Sequence, residues 1–367
     1  MPGASSPIEK EVAKVVLRNS LRVRSGENII VESWSGALPW ARPFVPEARR
    51  IGAHPMMLLE DEESYWESVE TARPQALGTV GSHEWSALAK TAAYVFFFGP
   101  SEPARMEALR IKNPDALFRY NPDWYRRAKK ARIRGARMQI GRTSQMSADR
   151  FQVDLDAWRE ELVRASLVPP SQLHQKGVKL RRKLATGKRV TVSHSNGTQL
   201  EFKLGRFPVQ LDDALVDEED LRAGNNMATI PGGVVGVAVD HTSAEGTVEG
   251  NRTAYYPWGP SDGIQWTFRD GHLTDHAYGM GQEAFEKTYA KAPKGKDRMS
   301  FLSIGLNPEI TMSPQMEDQE LGAVMLRIGG NSFVGGKNNC PFGVWVVIRG
   351  ANVSIDDHPV VQDGHIV

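Results

Sequence analysis

Apolar and polar segments alternate along the first half of the chain in a way that predicts strands and helices in turn. Four mainly apolar runs are typical of strands: 27–33, 54–61, 93–99 and 136–142. Segments with helical composition separate them: 38–52, 82–92 and 123–135. A strand-helix alternation of this kind predicts a parallel sheet covered by helices, that is, a doubly wound α/β domain.

The second half has a different pattern. Two further helices are predicted at 154–165 and 172–185, and they meet at Pro169-Pro170. From Lys188 onward short strand-like segments dominate, beginning with a hairpin around Ser195-Asn196-Gly197. We therefore expect a Rossmann-like α/β domain over residues 1–185 and a β-rich α+β domain over residues 186–367.

Composition narrows the class of partner. Lys and Arg number 45 against 44 for Asp and Glu, so the formal net charge is +1, and no overall field favours nucleic acid or an anionic membrane. No stretch of about 18 apolar residues is present, and the first residues lack the apolar core of a signal peptide. A single cysteine, Cys340, excludes a disulfide framework within one chain. These features predict a cytoplasmic protein.

Glycine patterns do not indicate a nucleotide site. The stretch VESWSGALPWA (31–41) passes from a strand to a helix through Ser35-Gly36, but it lacks the second and third glycines of a dinucleotide fingerprint. No GxxxxGK[ST] sequence occurs. A plain turn is the favoured interpretation, and we predict no cofactor.

Titratable residues give weak candidates for chemistry. The pair Asp240-His241 follows a strand and could act as orienter and base, or could simply cap a turn. In DGHLTDH (270–276) a metal site and an exposed hairpin end are both possible, and the hairpin is favoured. Cys340 precedes Pro341, but neither a base nor a cause for a lowered pKa is visible beside it.

Five phrases, in order, resemble a known family. They are RVTVSHSNGTQLEFKL, ATIPGGVVGVAVDHTSAEGTVEGN, FLSIGLNPEI, ELGAVMLRIGGNSFVGG and GGKNNCPFGVWVVIRGANVSIDD. They are similar to segments of the thermophilic-type metallo-aminopeptidases (aminopeptidase T and aminopeptidase S). The G-G-K and L-D-D phrases also match the non-haem iron 2,5-dihydroxypyridine dioxygenases on the same scaffold. The resemblance covers about residues 188–360 and implies an aminopeptidase-T-type second domain, a homodimer, and a cleft between domains.

The chain departs from that family at the metal ligands. Val234, Phe301, Met325, Gly343 and Trp345 stand where the resemblance places carboxylates and imidazoles. Their side chains lack the charge or lone pairs that bind hard divalent metals. We therefore predict no metal and expect these residues to bind a ligand. They could either fill the old site as core or line an apolar pocket.

Three functions are compatible with these residues. The first is a metal-free, catalytically degenerate aminopeptidase-like protein that binds a peptide, such as a biosynthetic precursor peptide, or a small aromatic metabolite in the interdomain cleft. The second is a metal-independent enzyme of specialised metabolism, with Asp240, His241, Ser303, Arg327 and Cys340 as its candidate catalytic residues. The third is a metallo-aminopeptidase or iron dioxygenase whose ligands lie elsewhere.

Overall fold

A computed structural model describes residues 6–99, 119–255, 259–311 and 313–367. Contacts divide the chain into two units. The first unit contains Met1–Asp149, Asp154–Pro170 and Ala214–Pro231, and the second contains Arg150–Val153, Ser171–Asp213 and Gly232–Val367. Segments of the two units alternate along the sequence. The domain boundary between residues 185 and 186 stays a prediction.

The described strands, in chain order, are β1 Asn28–Trp34, β2 His54–Glu60, β3 Ala93–Phe97, β4 Arg134–Met138, β5 Arg189–Ser193, β6 Gln199–Lys203, β7 Gln210–Asp212, β8 Met227–Ile230, β9 Val234–Ala238, β10 Glu245–Gly250, β11 Thr253–Tyr255, β12 Gly259–Ser261, β13 Ile264–Arg269, β14 His272–Ala277, β15 Met299–Gly305, β16 Val324–Gly329, β17 Gly343–Ile348, β18 Asn352–Ile355, β19 His358–Gln362 and β20 His365–Ile366.

The described α-helices are Pro7–Val15, Leu38–Ala41, Phe44–Ile51, Glu62–Thr71, Pro74–Leu77, Ser82–Leu88, Asn121–Lys130, Gln145–Phe151, Leu155–Leu167, Pro170–Thr186, Glu218–Ala223 and Gln282–Lys291. Short 3₁₀ turns occur at Ser35–Ala37, Gln139–Arg142, Glu317–Gln319 and Ser332–Val334, and a π-helical segment at Val16–Ser20.

The first unit is built on a parallel sheet with strand order β2-β1-β3-β4-β8. Its inner strand β1 buries Ile29, Ile30 and Val31 in succession, as expected for a strand covered on both faces. The four strands predicted in the first half are all present. The fifth, β8, comes from the second half of the sequence and was not predicted.

The helix predicted over 38–52 is wrong in one respect, because two helices replace it. Leu38–Ala41 ends before Pro43, and Phe44–Ile51 begins after that proline. A proline has no N–H to donate, so the hydrogen-bond pattern of a continuous helix is interrupted there. Gly52 ends the second helix with φ 86°.

The second unit contains antiparallel sheets. One has eight strands in the order β14-β13-β10-β6-β5-β18-β19-β20, one has five in the order β17-β16-β15-β9-β7, and β11 pairs with β12. The predicted hairpin at Ser195-Asn196-Gly197 joins β5 to β6. The predicted fold class, a parallel α/β part with a β-rich part, is confirmed. Within the described ranges, no helix is both long and apolar enough to span a membrane.

Candidate functional site

The five-stranded antiparallel sheet of the second unit, here called the site sheet, carries all five predicted ligand-binding residues. Its register aligns Ala238, Phe301, Arg327 and Trp345 in one row across β9, β15, β16 and β17. Residues directly opposite each other on neighbouring strands share a face of a sheet. These four side chains are therefore presented to the same side.

The next row on that face is Gly236, Ser303, Met325 and Val347. It shares the face because side chains alternate along a strand with a period of two. By the same alternation Val234, paired with Gly305, and Gly343, paired with Gly329, also belong to this face. The sequence positions that the resemblance associates with metal thus converge on one surface.

Most of this surface is an apolar cluster. Its buried members are Ala238, Phe301, Ala323, Met325, Val334 and Val347, and the half-buried Phe207 and Trp345 pack against it. The Phe301 ring occupies the space above Gly236, where an added Cβ would come within 2.4 Å of the ring's Cζ atom. The structure therefore brings Phe301, Met325 and Trp345 together, whereas Val234 and Gly343 lie on the same face outside the cluster.

The donor chemistry of this cluster does not fit a divalent metal. Phenylalanine and tryptophan offer no lone pair for coordination, and the Met325 thioether is a soft ligand suited to other ions. In the part of the chain that the structure describes, no group of three or more His, Cys, Asp or Glu side chains could hold a metal ion. The residues present are thus unsuited to the metal that the resemblance implies.

One cation lies within this apolar face. The guanidinium carbon of Arg327 is 4.6 Å from the centroid of the Phe333 ring, and burial lowers the pKa of Arg327. Its Nε atom is buried without a hydrogen-bond acceptor, and no described carboxylate forms an ion pair with it. An added Cβ at Gly343 would lie 2.1 Å from Nη2, so the guanidinium covers this glycine closely. Phe333 remains 63% exposed.

Two asparagines hold the loop that carries Phe333. The buried Asn331 donates from Nδ2 to the carbonyl of Ser300 at 2.9 Å, and its Oδ1 accepts from the backbone N–H of Asn338 at 2.9 Å. Asn338 in turn donates to the carbonyls of Gly295 and Gly329, both at 2.8 Å. Our reading of the sequence missed Phe333 and both asparagines, although all three lie in the matched phrases around the glycine pairs.

The predicted catalytic residues differ in burial and in their hydrogen-bond partners. Ser303 is fully buried, and its hydroxyl has no hydrogen-bond partner among the described residues. Asp240 accepts from the N–H and hydroxyl of Thr242, at 3.1 and 2.7 Å. Burial acts to raise the pKa of Asp240, but these hydrogen bonds hold it below its ordinary value. Asp240 therefore caps its turn.

His241 and Cys340 each make one contact that involves a backbone carbonyl. The carbonyl of His241 accepts from Nη1 of Arg298 at 3.3 Å. The thiol of Cys340 lies 3.7 Å from the carbonyl oxygen of Pro293. Neither side chain forms a hydrogen bond with Ser303 in the described structure, so no nucleophile–base pair is assembled there.

The histidines of DGHLTDH lie on a hairpin, as favoured from the sequence. β13 and β14 pair across the turn at Asp270-Gly271. His272 is hydrogen-bonded to Asp297 through Nδ1. The Nε2 atom of His276 lies 2.9 Å from Oε1 of Glu286. Each imidazole thus has a single carboxylate partner, which is the arrangement of an ion pair or hydrogen bond rather than a metal centre.

Two solved structures share the fold of this chain. The 2,5-dihydroxypyridine dioxygenase from Pseudomonas putida KT2440 matches with a TM-score of 0.67 and 15% identity, over 100% of this chain and 98% of that one. Wild-type AmpT from Thermus thermophilus matches with a TM-score of 0.69 and 18% identity, over 98% of this chain and 99% of that one. At these identities the likeness concerns the fold. No curated protein matches the chain.

The family follows from the sequence itself. Residues 157–367, more than half of the chain, match the family model NicX, described as 2,5-dihydroxypyridine 5,6-dioxygenase. The chain therefore belongs to the NicX family. The resemblance stated from the five phrases is confirmed.

Proposed function

We propose that this chain is a metal-free member of the family that binds a peptide or a small aromatic metabolite on the site sheet. The observation that carries the proposal is the apolar cluster at the former ligand positions. Phe301 and Met325 are each 8% exposed, and a half-buried Trp345 lies at the cluster's edge. Catalytic degeneracy follows if the family's chemistry depends on the replaced ligands.

The edge of the cluster distinguishes a binding surface from ordinary core. Trp345 and Phe207 are only partly buried at the edge of the cluster, and Phe333, whose ring centroid lies 6.2 Å from that of Phe301, is 63% exposed. Large aromatic side chains at the edge of a cluster provide apolar contact area at low entropic cost, since each has only two rotatable side-chain bonds. These features support a ligand that covers this edge.

A metal-independent enzyme is the second proposal, and one observation favours it. The Ser303 hydroxyl is buried without a partner beside Met325, and an orphaned buried hydroxyl can mark a functional group. A serine nucleophile needs a base within hydrogen-bond reach, however, and the described residues provide none for Ser303. Binding without turnover is therefore the better-supported function. The homodimer and the cytoplasmic location stay predictions.

Ligand-induced thermal stabilisation tests the proposal. A panel of short peptides, phenols, indoles and hydroxypyridines would be screened against the native chain, since a ligand that binds only the folded state raises the melting temperature. Trp345→Ala should lower the affinity of any hit while the protein stays folded. Trp85→Ala is the matched control, because Trp85 is a half-buried tryptophan packed on a separate cluster of the first unit.

The outcomes are distinct. Loss of binding in Trp345→Ala alone supports the proposal. A Trp345→Ala chain that fails to fold shows that the cluster is core, and equal binding by both variants places the ligand elsewhere. Either of the last two results would overturn the proposed surface.

A further inference from the structure

We infer that Arg327 anchors a carboxylate, so that the ligand of the site sheet is an organic acid with a flat apolar body. The inference rests on the proposed function and names the chemical class of its ligand. Nothing in the family resemblance requires a cation at this position, because Arg327 lies two residues beyond the position of Met325 on β16.

The first support is the state of the guanidinium. Removing a guanidinium from water is costly unless a carboxylate or several acceptors replace the lost hydration. Here burial lowers the pKa of Arg327, its Nε has no acceptor, and the described chain supplies no carboxylate partner. The ring of Phe333 gives a cation–π contact, which satisfies no N–H donor. The donors of this side chain are thus available to an acceptor from outside the chain.

The second support is the surroundings of the guanidinium. Arg327 lies in one row between Phe301 and Trp345. A carboxylate bound to its planar fork, which matches two carboxylate oxygens at once, would place the rest of the ligand next to aromatic side chains. The absence of a side chain at Gly343 provides the space in which the fork lies.

The third support is the exposed aromatic ring that lies over the guanidinium. Phe333 lies on the short 3₁₀ turn Ser332–Val334 and is 63% exposed, although its ring stacks on the cation. A largely exposed ring gains little from burial, so a ligand can displace it or stack against it at small cost. Two sources share the inferred chemistry: a small aromatic acid, and the C-terminal carboxylate of a peptide that ends in an apolar residue.

Matched acids and amides test the inference. The probes are 3-phenylpropionate with 3-phenylpropionamide, and N-acetyl-alanyl-phenylalanine with its C-terminal amide, titrated by calorimetry at pH 7. We expect at least one acid to bind the native chain about 10–100-fold more tightly than its amide, the range for a charge-assisted hydrogen-bond pair. A response to the first acid alone identifies a small aromatic acid, and a response to the second alone identifies a peptide terminus.

The variants separate this inference from the proposed function. Arg327→Met should abolish the preference for the acid and leave amide binding unchanged, and Arg327→Lys should retain part of it. Arg137→Met is the control, because Arg137 is another arginine whose buried Nε lacks an acceptor, in the first unit. Circular dichroism checks that each variant is folded.

Equal binding of acid and amide by the native chain would overturn the carboxylate anchor. If the shared affinity is then lost in Trp345→Ala, the proposed function still stands. Absence of binding by all four probes also overturns the inference, and the broader ligand panel then decides the proposed function separately.

Discussion

A partly buried acid in the first unit makes stability depend on pH in an unusual direction. Glu32 lies near the end of β1, where burial raises the pKa of its carboxyl from 4.5 to about 7, despite a hydrogen bond from the Tyr94 hydroxyl; the charges of Glu60 and Glu84 act in the same direction as burial. Burial and the nearby Glu32 raise the pKa of Tyr94 well above its ordinary value, so its hydroxyl stays a donor.

The direction in which stability changes with pH follows from which state of the chain binds the proton. Between pH 4.5 and about 7 the folded chain holds a proton on Glu32 that the unfolded chain has released. Stability from this group is therefore complete below pH 4.5 and is lost as the pH rises towards 7 and beyond. With about 1.4 kcal/mol for each pH unit, the loss amounts to about 3 kcal/mol by pH 8.

Glu32→Gln isolates the effect, because glutamine stays neutral and keeps an oxygen that can accept from Tyr94. Urea unfolding of the native chain and the variant would be compared at pH 5 and pH 8. The stability of the variant relative to the native chain should increase by about 2.5 kcal/mol between these pH values. Glu67→Gln, at an exposed position of the same unit, serves as the control substitution. A constant difference for Glu32→Gln would refute the reasoning.

Three further predictions concern the site sheet. Phe301→Ala should lower the free energy of unfolding by about 3–4 kcal/mol in urea, since the ring is 8% exposed within the cluster; a loss below about 1 kcal/mol would contradict its packing. Asn331→Ala should cost about 1–3 kcal/mol, because the carbonyl of Ser300 and the N–H of Asn338 lose their partner; unchanged stability would contradict this. Gly343→Ala should displace the Arg327 guanidinium and weaken binding of 3-phenylpropionate about 10-fold by calorimetry, and unaltered affinity would contradict the placement.

The sequence predicted the regular parts of the fold well. The apolar run 93–99 contains the parallel strand Ala93–Phe97, as expected for a short apolar run in a sheet that is covered on both faces. It did not predict β8, whose four residues are too short to show a period and join the first sheet beside β4 across a long stretch of chain. Long-range pairing of this kind leaves no local pattern.

The family phrases predicted positions that the structure places on one sheet, and their ligand-binding role stays a prediction. One face of the sheet carries all five of these positions, because side chains alternate along each strand and the register aligns neighbouring strands. The five are Val234, Phe301, Met325, Gly343 and Trp345. The role of Phe333 could not be read from the sequence, since its stacking on Arg327 depends on the loop geometry. Likewise, the sequence alone could not distinguish a catalytic Asp240 from one that caps a turn, because the hydrogen bond from the N–H of Thr242 depends on the turn geometry.

Metal content tests the central claim most directly. The chain would be purified without chelators, dialysed against Zn²⁺, Mn²⁺, Co²⁺ or Fe²⁺ in turn, desalted, and measured by inductively coupled plasma mass spectrometry. Replacement of the ligand set predicts only trace metal after each treatment and no change in melting temperature on adding the ion. Stoichiometric retention of any of these metals, with a matching rise in melting temperature, would contradict the metal-free site and restore a metalloenzyme.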